Sequence, residues 1–348
     1  MQKVDHEWLE AAVDLGLSPQ PFHIEMVSSA SLDELQQKGY AKRLTLHKPS
    51  HASTKVTELF DIVDQTVYIR DDQPEHIKIL ITAHCLAHAD FINQNHYIVT
   101  MIQAFKEQYP VMRRQFEQAR EQLSHYDFLS LNHSLYDLYQ FIHIHEEDVE
   151  WILTNMNLNA PLVKLWRVFD FENLLFKTIG QTSLMNEGWA TLYERLLLRH
   201  NHSYTPAVEK VVNEKNRPYP TGINLYRLGE KLWEEVDENQ RFRIRSIATD
   251  SSFLERFYSP TIHYNDLISI LHPSQKGARN NYPSVKQQLQ VTARYQGKLR
   301  IDLDRESTLN KNEVTFRYPK EQYHDIKIRK IIQSLEALLK HRVYIKPI

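Results

Sequence analysis

The 348-residue chain has a single cysteine, only 8 glycines, almost no net charge and no long apolar run. Each scarcity closes off a class of function. One cysteine, Cys85, excludes a framework of internal disulfides and suits a reducing compartment. The few glycines form neither G-x-G-x-x-G nor G-x-x-x-x-G-K-[ST], so nucleotide binding has no support. Against 44 Asp+Glu stand 42 Lys+Arg, a formal net charge of -2, which speaks for neither a nucleic acid nor an anionic membrane surface as partner. No apolar stretch approaches the roughly 18 residues that span a bilayer. Residues 1–16 are amphipathic and mixed in charge, unlike a signal peptide. The expected location is the cytoplasm.

What is present is a 42% share of hydrophobic residues, with 18 Tyr and 14 Phe for a bulky interior. Low glycine and long stretches of helical polar–apolar periodicity predict a mainly α fold. A first helix is expected over about His6–Leu15, stopped by the stretch from Gly16 to Pro19. Alternation predicts strands at Phe22–Val27 and Thr66–Arg70. Further helices are expected at 74–93, 97–125, 134–155, 160–179, 184–200, 224–239 (with Asn224 as cap) and 251–258. After Pro273 the composition shifts to a linker. Strands at 289–301, 313–318 and 342–346, with a helix at 323–340, then predict a small α+β module. The expected division is a helical domain at 1–265, a linker at 266–282 and the module at 283–348.

Two segments carry chemistry. His84 and His88 are separated by one helical turn, which puts two imidazoles on one face. A pair so placed can reach one zinc ion at roughly 2.0–2.1 Å through ring nitrogens. With 18 His in the chain the spacing alone is weak, and it recurs at His47 and His51, where Pro49 argues against a helix. On its own the pair reads equally as two hydrogen-bonded core histidines. Glu187, in the run Met185-Asn186-Glu187-Gly188-Trp189-Ala190, supplies a carboxylate on a second helix. That run resembles the Asn-Glu-Gly-aromatic-Ala helix of gluzincin aminopeptidases, whose Glu is the third zinc ligand. Gly188 and Ala190 are small enough to let this helix approach a neighbour closely. The competing reading pairs Glu187 with an arginine such as Arg195.

Cys85 stands where a gluzincin carries its glutamate base. A thiol is a poor base for that step; it reads as a small buried group or as a metal ligand. A surrogate base has to come from elsewhere, with Glu172 and Asp90 as candidates. Both could instead orient the histidine ligands. The cluster from His143 to Glu147 is a further candidate that also reads as a solvated helix face.

In order along most of its length, the chain resembles the SpoVR (stage V sporulation protein R) family. The matching segments are Pro21–Val27, His84–Asn95, Phe171–Asn173, Thr182–Ala190, Asn224–Trp233 and Asp250–Ser259. The Met-Asn-Glu-Gly-Trp-Ala run is the specific one, and the family also lacks the glutamate after the first histidine. Ala87 replaces a family glycine. Residues Gly39–His51 keep Arg43 but lose an aromatic-rich block, and Tyr193-Glu194 replace Trp-His. The resemblance implies a divergent, short member; the helical histidine pair and the gluzincin-like helix add the expectation of a zincin-like helical domain with zinc at His84, His88 and Glu187. It implies a role in spore cortex (peptidoglycan) formation or in stress physiology beside a serine protein kinase. The expected activity is zinc-dependent hydrolysis of an amide or peptide bond. The alternative is a non-catalytic, partner-binding protein with a degenerate metal site.

Overall fold

Helices dominate the computed structural model, which describes residues 2–38, 43–45, 58–217, 224–267, 281–311, 313–322 and 325–348. In chain order β1 (Gln2–Lys3), α1 (His6–Asp14), β2 (His23–Val27), α2 (Ser29–Lys38), β3 (Glu58–Asp61) and β4 (Thr66–Arg70) lead to α3 (Glu75–Gln94). Then come α4 (His96–Gln122), α5 (His125–Phe141), β5 (Ile142–Ile144), α6 (Glu146–Asn155), α7 (Ala160–Gly180) and α8 (Ser183–His200). They are followed by α9 (Pro206–Lys215), α10 (Leu225–Glu234), α11 (Glu238–Ile247), α12 (Asp250–Phe257) and α13 (Tyr282–Tyr295). The last elements are β6 (Leu299–Leu303), α14 (Arg305–Lys311), β7 (Val314–Tyr318), α15 (Asp325–Leu339) and β8 (Val343–Pro347). Among the described residues no helix is long and apolar enough to cross a membrane.

The chain forms two compact units, both discontinuous. The first comprises Met1–Ala41, Ala52–Gln103 and Thr178–Arg294. Its sheet has the order β1-β2-β4-β3, with β4 parallel to β2 and antiparallel to β3. β4 feeds α3, which starts after Pro74 with Glu75 in its first turn. α3 stops at Asn95, whose side-chain amide donates to the carbonyls of Arg245 (2.8 Å) and Ala248 (3.1 Å). α8 begins where Asp250 accepts from the backbone N–H groups of Leu184 (2.8 Å) and Met185 (2.9 Å), donors that no intrahelical carbonyl can reach. As expected, Asn224 caps α10, its side chain accepting from Arg227 N.

The second unit comprises Lys42–His51, Ala104–Lys177 and Tyr295–Ile348. Its sheet has the order β5-β6-β7-β8. Leu135, Leu138, Ile152, Trp166, Ile301, Phe316 and Leu335 share its core. The sequence division at 266–282 is therefore not where the units part. The C-terminal strands take β5 from the middle of the chain, and Asp148 fixes them further by accepting from Leu303 N at 3.0 Å. Most of the expected linker lies outside the described residues, as do His47 and His51.

Two further expectations fail locally. The helix expected over 134–155 is broken by β5, because pairing with residues 299–301 overrides the helical periodicity. The strand expected over 289–301 is α13 up to Tyr295. A turn then follows, in which Gln296 (φ 54°) and Gly297 (φ 70°) are left-handed, before β6 begins.

Candidate metal centre

The first unit brings the two chemical segments together. α3 packs on α8, and α8 packs on α10. The second contact is permitted by glycine: a Cβ on Gly188 would lie 2.5 Å from Gly229 Cα, and one on Gly229 would lie 2.7 Å from Gly188 Cα. The small residue expected to allow a close approach does so, backbone against backbone.

Three side chains converge across α3 and α8. His84 Nε2 and His88 Nε2 are 2.9 Å apart, and Glu187 Oε2 lies 3.7 and 3.6 Å from them. The point equidistant from these three atoms is about 2.0 Å from each, the bond length of zinc to imidazole and carboxylate. Among the described residues this is the group of three or more His, Cys, Asp or Glu side chains able to hold a metal ion.

The outer hydrogen bonds set the tautomers. Glu194 Oε2 accepts from His84 Nδ1 at 2.7 Å, and Asn186 Oδ1 accepts from His88 Nδ1 at 2.9 Å. With both protons on Nδ1, the two Nε2 atoms face each other as lone pairs. Glu187 Oε2 is buried without a hydrogen-bond partner. Two lone pairs and an orphaned carboxylate oxygen around one point repel each other unless a cation sits between them. The residues fit a divalent metal.

Charge agrees with the geometry at His88 and Glu187, while at His84 the surrounding carboxylates favour the protonated ring. Burial pushes His88 down to about 4, with His84 adding to the shift, so its ring is neutral at pH 7. Burial would raise Glu187, but His88, His84 and Lys215 bring it down to about 2. Burial and Lys215 push His84 down, yet Glu194 and Glu187 prevail and its shift is upward. Glu187 keeps 28% of its side chain exposed against 7% for His84, so the centre is not sealed.

Several neighbours were not legible as site residues. Glu194 is fully buried and also accepts from Lys215 Nζ at 3.3 Å. The Lys215 ammonium lies 4.5 Å above the Tyr226 ring and 3.4 Å from His84 Nε2. Glu58, on β3, lies in the field of His84, Lys215, Glu187 and Glu194, with burial raising its pKa. Only Glu194 left a sequence signal: seven residues after Glu187, it returns to the same helix face.

The other candidates have different places. Asp90 is fully buried and accepts from Ser18 N (2.7 Å), Trp189 Nε1 (3.0 Å) and Arg245 Nη1. It bolts α3 to α8 and α11 rather than facing a substrate. Glu172 belongs to the second unit, where it accepts from Leu44 N and Thr45 Oγ1 (each 2.5 Å) and pairs with Arg43. Cys85 is a buried thiol whose pKa burial raises well above its ordinary value. Arg195 pairs with Glu230 at 2.8 Å, leaving Glu187 to the histidines. His143 and Ile144 lie in buried β5, not on a solvated helix face.

No protein-family model matches the chain, and no solved structure matches it. An uncharacterized protein of Escherichia coli (strain K12), YcgB, is 28% identical over 144 residues. That alignment covers 36% of this chain and 27% of the relative, so the chain spans about a quarter of the length of the curated protein it matches.

Proposed function

We propose that this protein is a divergent SpoVR-like, zinc-dependent hydrolase of an amide or peptide bond. The observation that carries the reading is the triangle of His84 Nε2, His88 Nε2 and the orphaned Glu187 Oε2. Zinc held there would polarise a carbonyl group and make a water molecule acidic enough to react near neutral pH.

The chain's own residues supply the rest. Glu194 and Asn186 hold the two imidazoles in the ligating tautomer. Lys215 offers a cation beside the centre for a substrate carboxylate or a developing oxyanion. Asp90 and Glu172 have their oxygens committed elsewhere, so the proton acceptor we assign is Glu58, which lies in the field of His84, Lys215 and Glu187 and whose pKa burial raises above the ordinary carboxylate value. A peptide linked to peptidoglycan is the substrate class that the family resemblance suggests, and a serine protein kinase the suggested partner.

A second reading rests on Cys85 and Lys215. With no carboxylate after His84 and an ammonium competing for the same lone pair, the centre serves as a metal staple in a partner-binding protein. Turnover separates the two. Zinc-loaded protein should cleave amide bonds in a panel of cell-wall peptides, lose the activity to a chelator and regain it with zinc. Glu58→Gln should keep its metal and lose about 100-fold or more in kcat. No turnover of any amide by the zinc-loaded protein favours the staple.

A further inference from the structure

The second unit holds a group of cations that the metal centre does not use. His143 on β5 stands opposite Arg300 on β6 in a parallel ladder. Lys298 lies in the turn just before β6, two residues ahead of Arg300, which strand alternation puts on the side away from buried Leu299 and Ile301. From α7, Asn173 Oδ1 accepts from the Lys298 ammonium at 3.2 Å, and Lys177 lies one helical turn further on. The Lys177 carbonyl accepts from Gln296 Nε2 at 2.6 Å, tying the end of α7 to the turn before β6. Arg43 adds a fourth fixed cation, its guanidinium 4.2 Å above the Phe176 ring.

Two of these charges are answered and two are not. Arg43 pairs with Glu172, and Arg300 with Asp302 at 3.1 Å. Among the described residues, neither Lys177 nor Lys298 forms an ion pair. Asp170 feels the charge of Lys177, but it is held by the Tyr139 hydroxyl at 2.9 Å. Burial, then repulsion from Arg43 and Lys177, brings Lys298 down to about 8. His143 is only 9% exposed, and its Nδ1 has no hydrogen-bond partner. Burial and the cations Lys177, Lys298 and Arg300, together with His145, push it down to about 4, leaving a neutral ring. Unpaired cations gathered around an unpartnered buried nitrogen destabilise a fold, and a bound anion removes that cost.

We propose that this cluster binds a phosphate group, with Lys177, Lys298 and Arg300 supplying charge and His143 Nδ1 a directed hydrogen bond. Three cations on two rigid elements suit the several oxygens of a phosphomonoester better than a single carboxylate. The natural ligand is a small phosphorylated molecule, and inorganic phosphate is the probe.

Thermal unfolding of the full chain, with and without phosphate at constant ionic strength, tests the site. Phosphate should raise the melting temperature saturably in the wild type and by the same shift in His84→Ala, whose substitution lies in the other unit. Lys298→Met should bind phosphate about tenfold more weakly or worse. Its phosphate-free melting temperature should rise, because repulsion is relieved. Lys177→Gln provides the same test should Lys298→Met fail to fold. A wild type that shows no saturable response overturns the proposal. So does a variant that binds as the wild type does, or a Lys298→Met that melts lower without phosphate, which marks a lysine kept for the fold.

Discussion

Alanine at Gly188 is expected to lower the unfolding free energy by about 3 kcal/mol, the upper end of the usual cost of overpacking, and to abolish metal binding in the same step. Helix propensity alone predicts the opposite sign, since alanine is favoured over glycine in a helix interior by about 1 kcal/mol. Packing decides. The added Cβ would lie 2.5 Å from Gly229 Cα and 2.6 Å from its carbonyl oxygen. These are backbone atoms of α10, which cannot swing aside as a flexible side chain would. Relief requires separating α8 from α10, and Glu187 and Asn186 immediately precede the contact. Gly297→Ala is the control: its φ is +70° but nothing lies within 4 Å, so it should cost only about 1 kcal/mol through backbone strain. Chemical denaturation of both variants, with zinc content measured in parallel, checks the pair. Equal, small losses would mean that the helix crossing is not held by its glycines.

Arg245→Met is the second large effect, expected at about 3–5 kcal/mol. Asp90 is fully buried and Arg245 is 5% exposed. Removing the guanidinium leaves a carboxylate in the interior with only Ser18 N and Trp189 Nε1 as donors. The guanidinium also lies 5.2 Å from the Trp189 ring and 5.1 Å from that of Phe242, contacts that methionine replaces in part. The double variant Asp90→Asn, Arg245→Met should recover much of the loss, because no uncompensated charge remains. Urea denaturation of the single and double variants separates the cost of the orphaned charge from the worth of the pair. Strict additivity would show that the two groups do not act together.

How much of this could be read from the chain depended on sequence distance. His84 and His88 repeat with one helical turn, and Glu187 sits in a motif with its own small-residue pattern. Ligands on two helices were therefore visible before any fold was known. Thr66–Arg70 has the ends expected of it, because alternation and a following turn are local signals. Lys215 and Glu58 were not visible. Lys215 reaches the centre from α9 and Glu58 acts on it from β3, and no spacing links them to α3 or α8. For Asp90 the sequence leaves a surrogate base and an orienting group open, and the structure gives it neither role. Its partners, Ser18 and Arg245, lie 72 and 155 residues away. The division into units failed for the same reason. β5 is three residues long and is specified by β6, so the middle of the chain joins the C-terminal strands without a local mark.

The most direct test is the metal content of protein purified without chelator or affinity metal, beside His84→Ala and Glu187→Gln. A zinc centre at His84, His88 and Glu187 predicts about one zinc per chain in the wild type and essentially none in either variant, with all three folded. A wild type that stays metal-free after incubation with zinc, or a Glu187→Gln variant that keeps full occupancy, would contradict it.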